Sequence, residues 1–385
     1  MRKLGIYVQV PFCQTKCTYC NFHTGVVASS RFAPYVEAVC REIRGHRELF
    51  RTAGVGCGAA ILEKAGGQEW LCYEAIVDTV YIGGGTPSLL DPAHLQSILD
   101  AIRETFNGNG GGEDCGGQKS RGPSGLRASE PPHSQEVTLE ADPETIEAEK
   151  AAAWVQAGIR NISFDLIAGL PHQTKESWRQ SLEELAGLGP EHVSVYLLEI
   201  DEGSRLGKEL LQGGGKYSAG AVPSEDEMAE FYEMGQEALG AAGYHHYEIS
   251  NWAKPGFESK HNLKYWRREP YLGFGAGAHS FSGTERWANA HDAAAYVSAV
   301  QGGRLPVEQH EELMTESALE EELFLGLRQL DGIDVARIER EYGVALAKRF
   351  DSLALAGFVQ RDGGVVRLAP GRLSVSNEVF VELLR

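Results

Sequence analysis

Three cysteines, Cys13, Cys17 and Cys20, stand within eight residues of one another near the start of the 385-residue chain. Three residues separate the first pair and two separate the second, so one tight loop supplies three thiolates. Such a loop can hold three irons of a [4Fe-4S] cubane and leave the fourth iron open to a small chelating ligand. A structural zinc instead takes four ligands, usually as two separated pairs. The spacing therefore predicts a [4Fe-4S] cluster on these cysteines.

Two other interpretations of these cysteines have less support from the sequence than a cluster. A disulfide framework needs an even number of cysteines, and the first residues, Met-Arg-Lys-Leu-Gly-Ile, do not begin an apolar export signal. Three structural thiols in a reduced protein remain the plain alternative. The other four cysteines are scattered through later sequence and offer no local fourth ligand: Cys40, Cys57, Cys72 and Cys115.

Further polar groups and glycines stand at the ends of apolar runs. Residues 83–88, Gly-Gly-Gly-Thr-Pro-Ser, follow the mostly apolar residues 77–82. Glu140 ends residues 136–140, and Asp142 lies two positions further on. Glycines let backbone approach a ligand closely, although a glycine run is more often a tight turn. A carboxylate at a strand end is most often solvated, but one that faces a pocket can accept hydrogen bonds from a ligand. On this ground both Glu140 and Asp142 are candidates.

Alternating parallel strands and helices must position these groups. Residues 6–10 alternate apolar and polar and deliver the cysteine loop at their carboxyl end, where parallel α/β proteins bind ligands. Residues 77–82, 136–143, 158–171 and 192–200 are predicted to be the following strands, with helices between them.

The pattern Tyr7-x-x-x-Pro11-Phe12-Cys13-x-x-x-Cys17-x-Tyr19-Cys20 resembles the cluster loop of the radical S-adenosylmethionine (SAM) superfamily. Within it, the chain resembles the oxygen-independent coproporphyrinogen III oxidase group, and more closely its haem chaperone branch. The resemblance implies an open partial (β/α) barrel and SAM bound to the open iron, where one electron cleaves it to a 5'-deoxyadenosyl radical. It assigns cofactor contacts to seven residues: Tyr7, Tyr19, Gly84, Gly85, Thr86, Glu140 and Asp165.

The chain departs from these relatives between Glu140 and Asp165. Relatives carry an additional strand and helix there, but only 25 positions separate the two residues here, which leaves room for one helix and no strand. The simplest hypothesis is an internal deletion that removes a Gln and an Arg used around SAM. It would leave five strands where the superfamily has six, with re-paired neighbours or an exposed edge. The prediction is a barrel one β/α unit short with a weakened SAM site.

A later run, His261-Asn-Leu-Lys-Tyr265-Trp266, combines an imidazole with two aromatic rings. Such a histidine is more often a packing residue, but it could ligate haem iron while Tyr265 and Trp266 stack on the macrocycle. The run resembles the signature of the haem chaperone branch, which implies that His261 is a haem ligand. Phe22 also favours this branch, because the oxidases carry a further cysteine there, whereas Gln9 replaces a histidine that both branches carry.

Composition limits the partners and the domain plan. A net charge of −18 argues against nucleic-acid binding, and no run of ~18 apolar residues could span a membrane. A reducing, cytoplasmic setting is expected.

Residues 1–285 are predicted to form the partial barrel with insertions at 51–73 and 107–135, the second disordered. Residues 286–312 are a predicted linker, and residues 313–385 form a small, mostly helical, winged-helix-like domain.

Three functions follow from these predictions. A haem chaperone would bind the cluster, SAM and haem, take electrons from a donor, and pass haem to membrane or respiratory acceptor proteins. A coproporphyrinogen III oxidase would use the radical to decarboxylate propionate side chains. A binding protein without radical chemistry would keep only the cluster and the haem.

Overall fold

The computed structural model describes residues 3–20, 24–52, 76–107 and 135–384, without the side chains of residues 47–52 and 107. Most of the predicted insertions 51–73 and 107–135 lies outside the described residues. So do Phe22, Cys57, Cys72 and Cys115.

Eleven strands of the described chain form one open sheet. These are β1 (Lys3–Val10), β2 (Ile76–Gly84), β3 (Glu136–Glu140), β4 (Asn161–Ala168), β5 (His192–Leu197), β6 (His245–Glu248), β7 (Asn251–Ala253), β8 (Tyr271–Phe274), β9 (His279–Phe281), β10 (Glu285–Asn289) and β11 (Val307–Glu312). Their order is β11-β10-β9-β8-β1-β2-β3-β4-β5-β7-β6, and the six strands from β8 to β5 run parallel. Because the order has two ends, the predicted open partial barrel is confirmed.

Twelve α-helices of the described chain cover the sheet and build the C-terminal region. They are α1 (Phe32–Thr52), α2 (Pro92–Ile102), α3 (Ala148–Ala157), α4 (Lys175–Leu188), α5 (Arg205–Gln212), α6 (Glu225–Ala241), α7 (Lys260–Trp266), α8 (Ala293–Gln301), α9 (Thr315–Gly326), α10 (Val335–Tyr342), α11 (Ala347–Leu355) and α12 (Ser376–Leu384). Local sequence determines where several helices begin or end. Asp91 is the N-cap of α2 and stands before the proline of its first turn, and Gly158 ends α3 with a φ of 99°.

The alternation in β1 separates its core face from its site face. Leu4, Ile6, Val8 and Val10 are fully or almost fully buried in one core with α1 and α2. The intervening side chains of Tyr7 and Gln9 point to the opposite face, because successive strand residues alternate. This opposite face of the parallel strands carries the candidate site.

The shortened region closes by direct pairing. One helix, α3, lies between β3 and β4, and these strands pair in parallel, with Glu140 opposite Ser163. The predicted re-pairing of neighbours is therefore what the structure shows, and no exposed edge forms there. The predicted count of five parallel strands is wrong, because β8 pairs in parallel with β1 on the side away from β2 and makes a sixth.

The prediction of a linker at residues 286–312 is wrong. This segment carries most of β10, the whole of α8 and all of β11, and β10 pairs with both β9 and β11. The side chains of β11 are mostly exposed, so its sequence is polar like that of a linker even though its backbone is paired.

The C-terminal region has the predicted winged-helix-like composition. Helices α9 to α12 accompany a small antiparallel sheet of β12 (Ile333–Asp334), β13 (Val359–Asp362) and β14 (Val365–Leu368). Phe350 and Ile338 of this region belong to one hydrophobic core with Phe164 and Trp178 of the barrel. No helix in the described parts of the chain is long and apolar enough to cross a membrane.

Candidate cofactor site

The cysteine loop leaves the carboxyl end of β1, as predicted. Cys17 is exposed, Cys13 and Cys20 are half-buried, and all three thiols are free. Backbone bonds close the base of the loop, since the N–H of Cys13 donates to Gly25 O at 3.0 Å and that of Gly25 donates to Pro11 O at 2.9 Å. The loop therefore returns to β1 and holds its thiols at the mouth of the sheet.

The three thiols share one electrostatic environment. Burial raises the pKa of Cys13, and negative charge on Cys20 and Cys17 raises it further. Burial, and then hydrogen bonding to Cys17, raises the pKa of Tyr19. Across the described residues, no three His, Cys, Asp or Glu side chains are gathered closely enough to hold a metal ion. The donor set fits a cubane in type and number, because three thiols on one loop are free of disulfides.

The glycine turn after β2 packs directly on this loop. The N–H of Gly85 donates to Val10 O at 2.8 Å, and that of Thr86 donates to Phe12 O at 2.6 Å. A Cβ on Gly85 would lie 2.8 Å from the carbonyl carbon of Phe12 and 2.9 Å from Cys13 Sγ. Glycine is needed here because the backbone of the turn touches the cysteine loop.

Two carboxylates, Glu140 at the end of β3 and Asp165 on the neighbouring β4, lie near each other on the site face. Glu140 Oε2 accepts the N–H of Gly84 at 2.8 Å. Asp165 is exposed although it lies in the middle of β4, so solvent must enter the concave face of the sheet there. Although solvent reaches the side chain of Asp165, desolvation by the surrounding protein raises the pKa of both carboxyl groups above their ordinary values, and the charge of Asp165 adds to the increase at Glu140.

Tyrosines surround this pair. Tyr7 donates to Gln9 Oε1 at 2.7 Å, and Tyr81 stacks on Tyr7 with ring centroids 6.1 Å apart. The carboxylate charges of Glu140 and Asp165 contribute to raising the pKa of Tyr7, Tyr81 and Tyr196, although burial is the largest cause at each. The sequence analysis did not select Tyr81 or Tyr196. The period of two along β2 offered a clue, because Tyr81 lies two residues before Gly83 and so shares its face.

The structure does not support His261 as a haem ligand. Its side chain is fully buried, Nδ1 lies 2.9 Å from Thr79 Oγ1, and Nε2 lies 2.9 Å from the hydroxyl of Tyr265. Burial lowers its pKa to about 3, with the charge of Lys264 as a second cause. Both ring nitrogens thus have partners inside the protein, and iron ligation would break one of these contacts.

The aromatic neighbours of His261 are also engaged. The ring of Tyr265 contacts Tyr271 with centroids 4.6 Å apart, and the guanidinium of Arg328 lies 4.4 Å from the centroid of Trp266. These rings therefore pack within α7 and its neighbours and do not form one open face for a macrocycle. The cysteine loop, glycine turn and carboxylates meet at the sheet mouth. The cluster of His261, Tyr265 and Trp266 adjoins them, because the ring of His261 stacks on Tyr7 and Tyr81 with centroids 6.2 and 5.4 Å apart.

A buried glutamate that the sequence did not indicate holds the loop after β8. Glu42 of α1 accepts hydrogen bonds from the hydroxyl of Tyr296 at 2.5 Å, from Asn289 Nδ2 at 2.7 Å and from the N–H of Gly275 at 3.0 Å. Tyr35 accepts the next N–H, that of Ala276, and donates to Gln9 O at the end of β1. The network thus fastens the loop after β8 to the strand that carries the cysteines.

Glu42→Gln is expected to change how stability depends on pH. Burial raises the pKa of Glu42 from 4.5 to about 7, so the folded state disfavours the charged carboxylate. The stability contributed by the protonated group is present below pH 4.5 and is lost as the pH rises through about 7. Between pH 5 and pH 8.5, wild type should lose about 2 to 3 kcal/mol of unfolding free energy relative to the variant. Urea denaturation at both pH values measures this difference, and parallel profiles for the two proteins would contradict it.

Comparisons with known proteins agree with this fold. The model of the HemN C-terminal domain family matches residues 313–377. Haem chaperone HemW of Bacillus subtilis is 31% identical over 97% of this chain and 97% of its own length. Haem chaperone HemW of Mycobacterium tuberculosis is 30% identical, over 96% of this chain and 92% of its own.

The solved structure of coproporphyrinogen III oxidase (HemN) from Escherichia coli, a radical SAM enzyme, superimposes with a TM-score of 0.71. The match covers 99% of this chain and 90% of that one at 19% identity. At this identity the likeness establishes the fold, and the predicted radical SAM architecture is confirmed.

Proposed function

Because this chain belongs to the HemW family of radical SAM proteins, we propose that it binds a [4Fe-4S] cluster, SAM and haem and delivers haem to acceptor proteins. The observation that carries this proposal is the 31% identity to a haem chaperone along 97% of both chains. The proposal includes a cytoplasmic setting, an electron donor for the cluster, and haem acceptors among membrane or respiratory proteins.

The cluster would be held by Cys13, Cys17 and Cys20. When bound, it supplies an open iron that chelates SAM and an electron that cleaves it. The half-buried position of Cys13 and Cys20 limits solvent access, while exposed Cys17 leaves the loop open on one side. The contacts of Gly85 with Phe12 and Cys13 set how far the loop stands above the sheet.

The turn after β2 and the carboxylates would receive the ammonium group of SAM. The N–H groups of Gly84, Gly85 and Thr86 all donate within the protein, to Glu140, Val10 and Phe12. A cationic amino group arriving here therefore meets acceptors, namely the carbonyl oxygens of the turn and the carboxylate of Glu140. Binding a cation would also lower the raised pKa of Glu140, because a nearby positive charge favours the ionised form.

The SAM carboxylate has a poorer site. In the described parts of the chain, no Lys or Arg is among the groups that shift the pKa of Glu140 or Asp165, and β3 pairs directly with β4 where the relatives are expected to supply an Arg. If the SAM carboxylate bound next to Glu140 and Asp165, it would face two carboxyl groups without a balancing cation from the described residues, which costs free energy. This observation favours a second candidate function: cluster and haem binding without SAM cleavage.

One anaerobic experiment tests the two candidates. The full chain is reconstituted with iron and sulfide, reduced with dithionite and mixed with SAM, and 5'-deoxyadenosine is measured. Ferric haem is then titrated into the same preparation, and transfer to a haem-free acceptor haemoprotein is followed by its absorbance. Haem binding and transfer together with deoxyadenosine support the first candidate, and haem binding without deoxyadenosine supports the second. Absence of haem binding, or decarboxylation of added coproporphyrinogen III, would contradict the chaperone function.

A further inference from the structure

Helix α7 lies on the site face of the sheet, towards the amino ends of the strands. A Cβ added to Gly5 of β1 would lie 2.8 Å from Lys264 Cδ and 3.1 Å from the ring of His261, so the helix touches the backbone of this strand. Two residues further along the same face, Tyr7 stacks on His261 with ring centroids 6.2 Å apart. The helix therefore fills the space next to the tyrosines of the candidate cofactor site.

Two left-handed backbone positions flank α7. Gly256 has a φ of 87° in the segment that joins β7 to the helix, and Arg268 has a φ of 51° in the segment that joins the helix to β8. Glycine adopts this conformation at no steric cost, whereas arginine rarely does. Movable segments turn at a few loop residues, and strained residues collect at sites that switch between conformations. The backbone thus has a position on each side of α7 at which it can turn.

A carboxylate of the C-terminal region holds the strained arginine. Glu321 of α9 accepts a hydrogen bond from Nε of Arg268 at 3.1 Å, and the hydroxyl of Tyr342 accepts one from Nη1 of the same side chain at 3.0 Å. The oxygens of Glu321 also accept hydrogen bonds from Arg286 of β10, at 3.0 and 3.2 Å. The side chains of Arg268 and Glu321 are 8% and 15% exposed, so salt screens their attraction only weakly. One carboxylate therefore joins the α7 segment to the C-terminal region.

A second set of contacts reaches the last turn of α7. The guanidinium of Arg328 lies 4.4 Å from the centroid of the Trp266 ring, and its Nη2 lies 3.3 Å from Glu248 Oε2 on β6. Arg267 Nε donates to Gln329 Oε1 at 2.8 Å. The last residue of the helix and the two that follow it thus all contact the C-terminal region.

The C-terminal region is itself fixed to the barrel. Its Ile338 and Phe350 belong to one hydrophobic core with Phe164 and Trp178. Burial of several large apolar side chains stabilises a contact more than single polar contacts do. Helix α7 is a short segment between two strands, so it is the part that can move while this core stays intact.

The junction between α7 and the C-terminal region leaves buried donors without acceptors. Within the described residues, Nε1 of Trp266, Nη2 of Arg268 and Nε of Arg328 are buried and have no hydrogen-bond partner. A buried donor without an acceptor costs free energy that the same donor does not cost in water. The junction therefore combines ion pairs that hold α7 in place with a cost that favours its release.

We infer that α7 is a lid that turns at Gly256 and Arg268, that Glu321 latches it closed, and that haem gains access when the latch opens. In the latched position both ring nitrogens of His261 and the ring of Tyr265 are engaged inside the protein, so the helix offers haem no free imidazole and no open aromatic face. A ligand that binds only the open state shifts the equilibrium towards it, and a weaker latch then gives tighter apparent binding. The inference rests on the proposed haem-binding function and adds a control of access to it.

Glu321→Gln tests the latch in the full-length protein by two measurements. The amide keeps the shape of the carboxylate but not its charge, so ferric haem should bind this variant about fivefold or more tightly than wild type. Hydrogen–deuterium exchange followed by mass spectrometry should show faster uptake in residues 254–270 of the variant. Uptake in α2 should stay unchanged, because this helix packs on the opposite face of β1.

Arg268→Gln is the second variant and should give the same two results. It leaves the backbone position occupied by a long side chain and removes the cation from Glu321 and from Glu322, which lies 3.8 Å away. Asp351→Asn is the matched control, because it breaks an ion pair with Arg361 inside the same C-terminal region and should change neither measurement.

Unchanged uptake of residues 254–270 in both latch variants overturns the latch, whether or not haem binds. An increase that extends to α2 shows general unfolding and overturns it as well. Equal or weaker haem binding by the latch variants also overturns the latch, while haem binding by wild type leaves the proposed function standing. If neither wild type nor the latch variants bind haem, the proposed function fails together with the control of access.

Discussion

Cys17→Ser is expected to abolish the visible absorbance and most of the bound iron and sulfide of the anaerobically reconstituted protein. Cys13, Cys17 and Cys20 are the three thiols of one loop, and no disulfide removes any of them. A cubane left with two thiolates and two open irons is bound far less tightly, and serine is a poor substitute for a thiolate on iron. Cys13→Ser and Cys20→Ser should behave alike.

Cys40→Ala is the control for this experiment. Cys40 is a free thiol buried in α1, outside the loop, so its removal should leave the iron and sulfide content unchanged. Chemical analysis of iron and sulfide, together with electron paramagnetic resonance of the reduced protein, measures the outcome. A full cluster in any of the three loop variants would contradict the ligand assignment.

The sequence predicts the cysteine loop and the strand that carries it because both are local. The spacing of Cys13, Cys17 and Cys20 lies within one loop, and the alternation of Ile6, Val8 and Val10 sets the buried face of β1 without reference to distant residues. The glycine turn after β2 is predicted as a binding turn for the same reason, because its residues are adjacent in the sequence. Its contact with Phe12 and Cys13, however, depends on how two strands pair.

The sequence left packing and haem ligation both open for His261, because its burial is a property of the assembled sheet. The partner of Nδ1 is Thr79, which lies 182 positions earlier in the chain. A histidine next to Tyr and Trp gives the same sequence pattern whether its side chain faces solvent or packs against a strand. The same limit applies to Glu42, whose three donors lie more than 230 positions away. In a helical sequence it resembles any other surface glutamate.

The strands β8 to β11 were missed for a different reason. Strands β8 and β9 have four and three residues, β10 (ERWAN) has few apolar residues, and β11 is exposed on most side chains, so neither alternation nor apolar content indicates them. Backbone pairing with β1 makes β8 a strand, and pairing with β9 and β11 does the same for β10. Periodicity detects side-chain burial and does not detect pairing.

Gly85→Ala is expected to destabilise the protein by roughly 2 kcal/mol and to lower cluster occupancy, because overpacking against fixed atoms typically costs about 1 to 3 kcal/mol. The new Cβ would lie 2.8 Å from the carbonyl carbon of Phe12 and 2.9 Å from Cys13 Sγ. The backbone of Phe12 cannot rotate away as a flexible side chain could, since its oxygen accepts the N–H of Thr86. The strain should therefore pass into the loop that holds the thiols.

The conformation of Gly85 makes this test purely steric, because Gly85 is not among the residues with positive φ. Gly187→Ala is the matched control: Gly187 lies in α4, nothing lies within 4 Å of an added Cβ, and alanine favours a helix by up to about 1 kcal/mol. Thermal unfolding and iron content of both variants measure the difference. If Gly85→Ala matches wild type in both, the glycine turn does not set the position of the cysteine loop. If only iron content falls, the loop yields to the added methyl group while the sheet beneath it stays intact.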